Sequence, residues 1–279
     1  MNITIIGGGN IGTLMAVEAA DKGHTVTVCT SRPSLWKKEI ELYNPDDNLL
    51  ISTQISKITS SMKDAVSGAD HIWVTVPGEA FENIAARMLP YATKGQKIGI
   101  IPGFGGAEFA FKKLINKGCV LYGFQRVHSI ARLKEYGKAV YQLGRKHKIE
   151  IGSIPASNVS DICDFIEEIF NIPCVSLHNY LSVSLTPSNP ILHTSRLYSM
   201  FKDYTPGKKY DRNFLFYKEW SLEVAQLMIS CREEELGMGT VLEFCREYQY
   251  VPADFEQKET FGERIYKFSK EALVRKISK

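Results

Sequence analysis

The sequence predicts an α/β fold: a doubly wound parallel sheet over residues 1–178, followed by a smaller all-α domain over residues 179–279. In the first half, short apolar or β-branched runs alternate with helix-forming stretches, a pattern typical of parallel sheets covered by helices. In the second half, apolar residues recur at three- and four-residue spacing, which indicates amphipathic helices. A chain of 279 residues is long enough to bury a core in each part.

The composition argues against several classes of protein. Hydrophobic residues make up 44% of the chain and charged residues 23%, close to the globular average, so we expect a folded protein. The formal charge of +3 is spread along the chain and indicates no nucleic-acid partner. The sequence shows no signal peptide and no apolar run long enough for a membrane span, so we expect a cytoplasmic protein. The six cysteines form no C-x-x-C pair, and no metal site is expected.

The first predicted strand runs into a glycine-rich turn. The apolar run NITII leads into Gly7, Gly9 and Gly12, which form a G-x-G-x-x-G motif, and a helix-forming stretch and the strand HTVTV follow. In this setting the first glycine permits a tight turn, the second lets the backbone approach a pyrophosphate, and the third allows close helix–strand packing. The helix N-terminus adds N–H groups and positive potential for phosphates. We therefore predict a Rossmann-type dinucleotide site that includes Asn10 and Ile11.

The end of the second strand indicates which dinucleotide would bind. NAD-binding proteins place a carboxylate there, about 20 residues after the glycines, to accept hydrogen bonds from the ribose 2′-OH. This chain has Thr30, Ser31 and Arg32 instead. Two hydroxyl groups and a guanidinium suit a 2′-phosphate, so NADP is favoured over NAD.

Two further strand–turn–helix units follow. The strand over residues 71–76 ends at Val76 and Pro77, and the strand over residues 97–101 is followed by Gly103. In open parallel sheets, ligands lie beyond the carboxyl ends of the strands, where both turns fall. We therefore expect Val76, Pro77 and Gly103 to line the cofactor cleft.

The sequence pattern changes in the last part of the first domain. From about residue 119, short strand-like runs are separated by glycine and charged residues, which predicts antiparallel strands added to the sheet. SDICDFIEEIF then has the pattern of an amphipathic helix, and IPCVSL reads as the last strand.

The helical half opens on a segment rich in prolines. Pro187 and Pro190 mark helix starts, and Asn189 is suited to cap a helix whose first turn holds Pro190. His193 stands one turn further on, and Arg196 lies on the same helix face. An imidazole titrates near neutral pH, so His193 is a candidate to exchange the proton that accompanies hydride transfer.

Taken together, these segments resemble the octopine/nopaline (opine) dehydrogenase family. The matching pieces are the Gly7/Gly9/Gly12 motif, VTVPGEAF, PGFGGAEF, the stretch through Arg132 to IEIGSIP, and NPILHTSRLYSMF. The resemblance implies an NADP-dependent oxidoreductase that condenses an amino acid with a 2-oxo acid and reduces the product. It further implies that His193, within the asparagine–proline–x–x–histidine segment that begins at Asn189, is the catalytic acid/base, and that two copies pair through the helical domain.

Several charged residues are candidates for the remaining roles. Substrate carboxylates need cationic partners, for which Arg132, Arg196 and Arg212 are candidates. The resemblance implies an acidic partner for the histidine, and Glu219 and Asp254 are candidates. Each of these side chains also suits an ordinary surface or structural ion pair.

Two other interpretations stay open. The chain also has the plan of ketopantoate reductases, which reduce a 2-oxo acid without an amine, although the corresponding region, LHNYLSVSL, lacks their lysine. A cofactor-binding protein without turnover would carry the same glycine motif, but would have no need of a proton donor at His193.

Overall fold

The structure is a computed structural model that describes residues 1–103, 106–184, 188–216 and 221–237. It divides into two compact units, Met1–Leu185 and Thr186–Lys279, so the boundary lies later than the predicted residue 178. The reason is local packing, because Tyr180 is only 1% exposed. Its hydroxyl donates a hydrogen bond to the Gly103 carbonyl at 2.9 Å, which joins the segment after residue 178 to the first unit.

The described residues form twelve strands and nine α-helices. The strands are β1 (Asn2–Ile6), β2 (Thr25–Cys29), β3 (Glu39–Tyr43), β4 (Leu49–Gln54), β5 (Lys57–Thr59), β6 (His71–Val74), β7 (Lys97–Ile100), β8 (Val120–Phe124), β9 (Ser129–Glu135), β10 (Ala139–Arg145), β11 (Ile149–Ile154) and β12 (Cys174–Ser176). The helices are α1 (Asn10–Asp21), α2 (Met62–Val66), α3 (Phe81–Met88), α4 (Ala107–Ala110), α5 (Lys112–Asn116), α6 (Val159–Phe170), α7 (Leu181–Ser184), α8 (Ser188–Phe201) and α9 (Leu222–Gly237).

The main sheet has eight strands in the order β12-β11-β8-β7-β6-β1-β2-β5. Six neighbouring strands of this sheet are all parallel, namely β8, β7, β6, β1, β2 and β5. Numbered along the chain, these six follow the order 3-2-1-4-5-6 of dinucleotide-binding folds, with the reversal between β1 and β6. The predicted doubly wound sheet is confirmed.

A second, four-stranded sheet has the order β4-β3-β10-β9. We predicted that the strands after residue 119 extend the main sheet. We also predicted that these strands are antiparallel, which holds for β11 against β8, whereas β8 itself is parallel to β7. The prediction that they extend the main sheet is wrong for β9 and β10. These two strands pair with each other, and β10 also pairs with β3, which lies far earlier in the chain. The buried face of this sheet carries small and apolar side chains that pack on α1, so it covers that helix rather than the sheet edge.

Apolar side chains fill both faces of the main sheet. One layer joins the strands to α1, α6 and the second sheet, and the other joins them to α2, α3 and α5. The predicted amphipathic helix is α6, whose buried residues recur at three- and four-residue spacing and which ends at Asn171 in a left-handed conformation, φ 49°. Burying each large apolar side chain of this kind contributes about 1.5–3 kcal/mol.

A buried polar contact ties α1 to the second sheet. His128 Nε2 lies 2.6 Å from Glu18 Oε2, and both side chains are almost completely buried. Gln142 donates to the other carboxylate oxygen, Glu18 Oε1, at 3.1 Å. The carboxylate is therefore satisfied within the protein, as a buried polar group must be.

The described part of the second unit is helical, as predicted. α8 covers the proline-rich segment, and α9 covers the amphipathic stretch up to Gly237. Glu223 on α9 accepts hydrogen bonds from Ser199 on α8 and from Lys202, the first residue after α8. Among the described residues, no helix is both long and apolar enough to cross a membrane.

Candidate functional site

The glycine-rich turn between β1 and α1 is shaped by two close approaches. Gly7 has φ +121°, a value that favours glycine, and its N–H donates to the Cys29 carbonyl at 3.0 Å. A Cβ placed on Gly12 would lie 2.0 Å from the Gly7 carbonyl oxygen. Only glycine therefore fits at the start of α1 so close to β1, as predicted for the third glycine of the motif.

Gly9 is different, because a Cβ placed there would meet no atom within 4 Å. The open space above Gly9 is where the second glycine of the motif allows a pyrophosphate to approach the backbone. Gly9 precedes α1 in extended conformation, with no side-chain cap and no acidic residue in the first helical turn. The N–H groups at the start of α1 are thus available to an anion, and the helix dipole favours negative charge there.

Asn10 and Ile11, the two predicted residues between Gly9 and Gly12, face in different directions. The Asn10 side-chain oxygen accepts a hydrogen bond from the Leu133 N–H at 2.8 Å, so it anchors β9 of the second sheet. Ile11 packs against the core. For both residues, the predicted contact with phosphate would therefore involve the backbone N–H at the helix start.

The loop after β2 presents Thr30 and Arg32 together. The Arg32 N–H donates to Thr30 Oγ1 at 3.3 Å. The Arg32 guanidinium lies over the ring of Tyr136, 4.3 Å from its centroid, and Tyr136 also hydrogen bonds Thr30 Oγ1 at 2.9 Å. Ser31 is exposed beside them. Among the described residues, Arg32 has no carboxylate within ion-pair distance, and the residue is exposed.

Tyr136 was not predicted as a site residue. It lies between β9 and β10, about a hundred residues after Arg32, and no local pattern connects the two positions. Burial raises the pKa of Tyr136, but its hydrogen bond with Thr30 and its contact with Arg32 outweigh this, so that the pKa lies below its ordinary value.

The turn after β6 packs beneath the glycine-rich turn. Thr75 Oγ1 donates to the carbonyl oxygens of Ile6 and Gly7, at 3.2 and 3.3 Å. Val76 Cγ1 would lie 3.2 Å from a Cβ on Gly7, which places Val76 against the turn, and Pro77 is exposed. Thr75 was not predicted, although its position at a strand end was a usable signal.

Gly103 is required by close backbone packing. Its N–H donates to the Phe124 carbonyl at 2.8 Å, and its own carbonyl accepts from Tyr180. A Cβ at this position would lie 2.6 Å from the Cα of Gly123. Both backbone groups of Gly103 are thus satisfied inside the protein, and its contact with the cofactor stays a prediction.

His193 and Arg196 share a partner within the second unit. The His193 ring meets the Phe216 ring edge-on, with the centroids 5.3 Å apart. Arg196 Nε donates to the Phe216 carbonyl at 3.0 Å, and Arg196 is only 4% exposed. The predicted proton donor and the predicted carboxylate partner therefore lie on one face of α8 and contact the same residue.

The other two predicted substrate residues, Arg132 and Arg212, belong to different units, and each contacts residues of its own unit. Arg132 is exposed on β9 and donates to the neighbouring Ala131 carbonyl, whereas Arg212 lies over the ring of Phe214 at 5.3 Å. Asn189 belongs to α8, but its side chain lies outside the described residues, as do Glu219 and Asp254 altogether. Among the described residues, no cluster of side chains suits a metal ion.

Two family models match the chain, one on each half. The model for the N-terminus of NAD-dependent glycerol-3-phosphate dehydrogenase matches residues 2–122. The model for the alpha-helical domain of NAD/NADP octopine/nopaline dehydrogenase matches residues 176–277. The predicted resemblance to the octopine/nopaline dehydrogenases is thereby confirmed.

Curated relatives extend the resemblance across most of the chain. Tauropine dehydrogenase of Arabella iricolor is 25% identical over 85% of this chain, and octopine dehydrogenase of Mizuhopecten yessoensis is 23% identical over 87%. In both cases the match covers 64% of the relative's own length. The chain thus spans about two thirds of these dehydrogenases.

Solved structures show the same fold. Octopine dehydrogenase in complex with NADH and L-arginine aligns with a TM-score of 0.76 and 21% identity, covering 92% of this chain and 66% of that one. A ketopantoate reductase from Ralstonia eutropha JMP134 aligns with a TM-score of 0.62 and 15% identity, covering 98% and 93%. A Rossmann-type domain followed by a helical domain is common to these enzymes and to this chain.

The contrast between Gly9 and Gly12 yields a paired prediction. Gly12→Ala should lower the free energy of unfolding by roughly 3 kcal/mol, because the new methyl group overlaps the Gly7 carbonyl. Gly9→Ala should leave it within about 0.5 kcal/mol of the wild type, since its Cβ meets open space. The same Gly9 variant should raise the Kd for NADPH and for NADH alike, roughly tenfold, because both carry a pyrophosphate.

Denaturant unfolding and nucleotide titration on the two variants test this prediction. Each variant is the other's control, since one perturbs packing and the other the ligand space. Wild-type nucleotide affinity in a folded Gly9→Ala variant would contradict the site.

Proposed function

We propose that this protein is an NADP-dependent oxidoreductase of opine dehydrogenase type, which reductively condenses an amino acid with a 2-oxo acid. The observation that carries the proposal is the conjunction of two features. In the first unit, the start of α1 has no side-chain cap, and the space next to Gly9 is open. In the same unit, Arg32 has no ion pair with any carboxylate among the described residues. The second half of the chain matches the helical domain of octopine/nopaline dehydrogenases.

The choice of NADP rests on this chain's own residues. A 2′-phosphate carries negative charge and several acceptor oxygens, which suit a guanidinium and two hydroxyl groups. Ser31 and Arg32 supply exposed groups of this kind on the loop after β2, and Thr30, which is buried and whose hydroxyl group contacts Tyr136 and the Arg32 N–H, would hold the loop in place. A ribose 2′-OH would instead call for a carboxylate at this position, and the loop over residues 30–36 contains none.

The reaction requires both hydride and proton transfer. The amino acid's amine attacks the keto carbon of the oxo acid, and loss of water leaves a C=N bond. That carbon then takes up a hydride and the nitrogen takes up a proton, which gives a secondary amine that carries both carboxylates. A nicotinamide cofactor, when bound, supplies the hydride.

His193 would handle the proton. In the condensing direction its imidazole would protonate the oxygen that leaves as water, and in the oxidative direction it would withdraw a proton. Its contact with Phe216 orients the ring on α8. Asn189, in the same helix, would assist it, and Glu219 or Asp254 would be its acidic partner.

The substrates would be an amino acid and a 2-oxo acid, whose carboxylates need cations. Arg196 is the best supported of the three candidates, because it stands on α8 one turn from His193 and is buried. Its Nε is engaged by the Phe216 carbonyl, which fixes the guanidinium and leaves further N–H donors. Arg132 and Arg212 stay as alternative carboxylate partners. Two copies of the chain would associate through the helical domain.

One observation favours a second candidate, a reductase of a 2-oxo acid without an amine partner. A ketopantoate reductase aligns with 98% of this chain at a TM-score of 0.62, so the fold of both halves is compatible with that simpler reaction. A third candidate, an NADPH-binding protein without turnover, has no feature of its own in its favour.

Arg32 offers a direct test of the cofactor. Arg32→Ala should raise the Kd for NADPH roughly 10- to 100-fold, the worth of a charge-assisted hydrogen bond of about 1.5–3 kcal/mol. It should leave the Kd for NADH within about twofold, because NADH has no 2′-phosphate. Titration of nicotinamide fluorescence measures both constants, and Lys146→Ala, which removes an exposed positive charge after β10, is the control. Equal affinity of the wild type for the two nucleotides would contradict the assignment.

Turnover tests the chemistry. NADPH oxidation should require an oxo acid and an amino acid together, and His193→Ala should lower kcat by roughly 10²–10⁴-fold with little change in NADPH affinity. His147→Ala, which removes an exposed histidine before β11, is the control. Oxidation by an oxo acid alone, unaffected by amino acids, would instead select the ketopantoate-type reductase. Unchanged turnover in the His193 variant would exclude that residue from proton transfer.

A further inference from the structure

The tip of the β9–β10 hairpin supports the residue on which the cofactor preference rests. We infer that Tyr136 is a positioning residue that holds Arg32 ready for the 2′-phosphate of NADP, and thereby sets the preference for NADPH over NADH. The inference deepens the proposed function and rests on it, since it requires that Arg32 bind the 2′-phosphate.

Tyr136 makes two contacts that act on Arg32 from different sides. Its ring lies beneath the guanidinium, 4.3 Å from Cζ to the centroid. Its hydroxyl hydrogen bonds Thr30 Oγ1 at 2.9 Å, and the same oxygen accepts the Arg32 N–H at 3.3 Å. One residue therefore restrains both the side chain and the backbone of Arg32.

The contact with Tyr136 leaves N–H donors of the Arg32 guanidinium available to a ligand. A guanidinium is planar, and its N–H donors project from its edge rather than its faces. The guanidinium lies over the Tyr136 ring in a cation–π contact, and Arg32 is exposed, so N–H donors remain accessible to the oxygens of a phosphate. Stacking also restricts a long side chain before the ligand arrives, which lowers the entropy lost on binding.

The hairpin tip is itself firmly docked on the loop after β2. Gly137 has φ +71°, and a Cβ on it would lie 2.6 Å from the Leu35 carbonyl oxygen. The Gly137 carbonyl accepts the Lys37 N–H at 2.8 Å. The Trp36 ring meets the Tyr136 ring edge-on at 6.2 Å and also lies against Gly8, whose Cβ would be 2.9 Å from the indole. Tyr136 is thus held against the same loop that it supports.

The second sheet also connects Tyr136 to the helix that follows the glycine-rich turn. Leu133 on β9 donates to Asn10 at the start of α1, and His128 pairs with Glu18 further along that helix. The elements that would hold the pyrophosphate and the 2′-phosphate are therefore fixed to one sheet. This gives the second sheet a role in nucleotide selection.

The test is a titration of NADPH and of NADH against Tyr136→Leu and Tyr136→Phe. Tyr136→Leu should raise the Kd for NADPH roughly 3- to 10-fold, the range of a cation–π contact, with NADH unchanged within about twofold. Tyr136→Phe keeps the ring and should retain most of the wild-type preference. Thermal unfolding of each variant checks that the hairpin remains folded.

A double variant that combines Tyr136→Leu with Arg32→Ala tests whether Tyr136 acts through Arg32 or supports the nucleotide site in another way. If Tyr136 acts through Arg32, adding Tyr136→Leu to the Arg32→Ala variant should cause no further loss of NADPH affinity. An equal loss for NADPH and NADH, or an undiminished loss in the Arg32→Ala background, would overturn the inference while leaving the cofactor assignment intact. A wild type without NADPH preference, unaffected by Arg32→Ala, would overturn both.

Discussion

The approach of α1 to β1 is the constraint on which the rest of the first unit depends. A Cβ on Gly12 would lie 2.0 Å from the Gly7 carbonyl oxygen, so the helix starts directly against the end of the strand. This contact aims the N–H groups of α1 at the carboxyl edge of the sheet, next to the reversal of strand order between β1 and β6. The open space at Gly9 follows from the same turn.

A second set of contacts ties α1 to the four-stranded sheet. Glu18 and His128 form a buried pair, and Asn10 accepts a hydrogen bond from Leu133. Because buried polar groups must find partners, the Glu18–His128 pair in particular specifies where the sheet lies along the helix. The β9–β10 hairpin then reaches the loop after β2, where Tyr136 meets Thr30 and Arg32. Pyrophosphate and 2′-phosphate recognition would therefore share one scaffold.

The local features of this architecture could be predicted from the sequence. The glycine spacing and the alternating apolar runs predicted β1, α1 and β2, and the spacing of apolar residues predicted α6. The missing carboxylate after β2 pointed to Arg32. These features depend on neighbouring residues, which one segment of sequence displays.

The remaining features depend on residues far apart in the chain. β10 pairs with β3 across about a hundred residues, and nothing in either strand specifies its partner. Tyr136 reaches Arg32 only because of that pairing. Gly103 was expected to line the cleft, and it is also needed where the backbone meets Gly123, a contact that only the folded chain reveals. For His193, sequence and structure agree on its helix and on Arg196 beside it, while its role in proton transfer stays a proposal.

Hydrogen–deuterium exchange with and without NADPH tests the central claim most directly, namely that the start of α1 and the loop after β2 form the nucleotide site. With NADPH present, exchange should be slower at residues 9–12, whose N–H groups the pyrophosphate would engage, and at residues 30–32, where side-chain contacts with the 2′-phosphate would hold the loop and reduce its opening. NADH should slow exchange at residues 9–12 but have less effect at residues 30–32. Saturating NADPH with no protection at residues 9–12, or protection confined to other parts of the chain, would contradict the account.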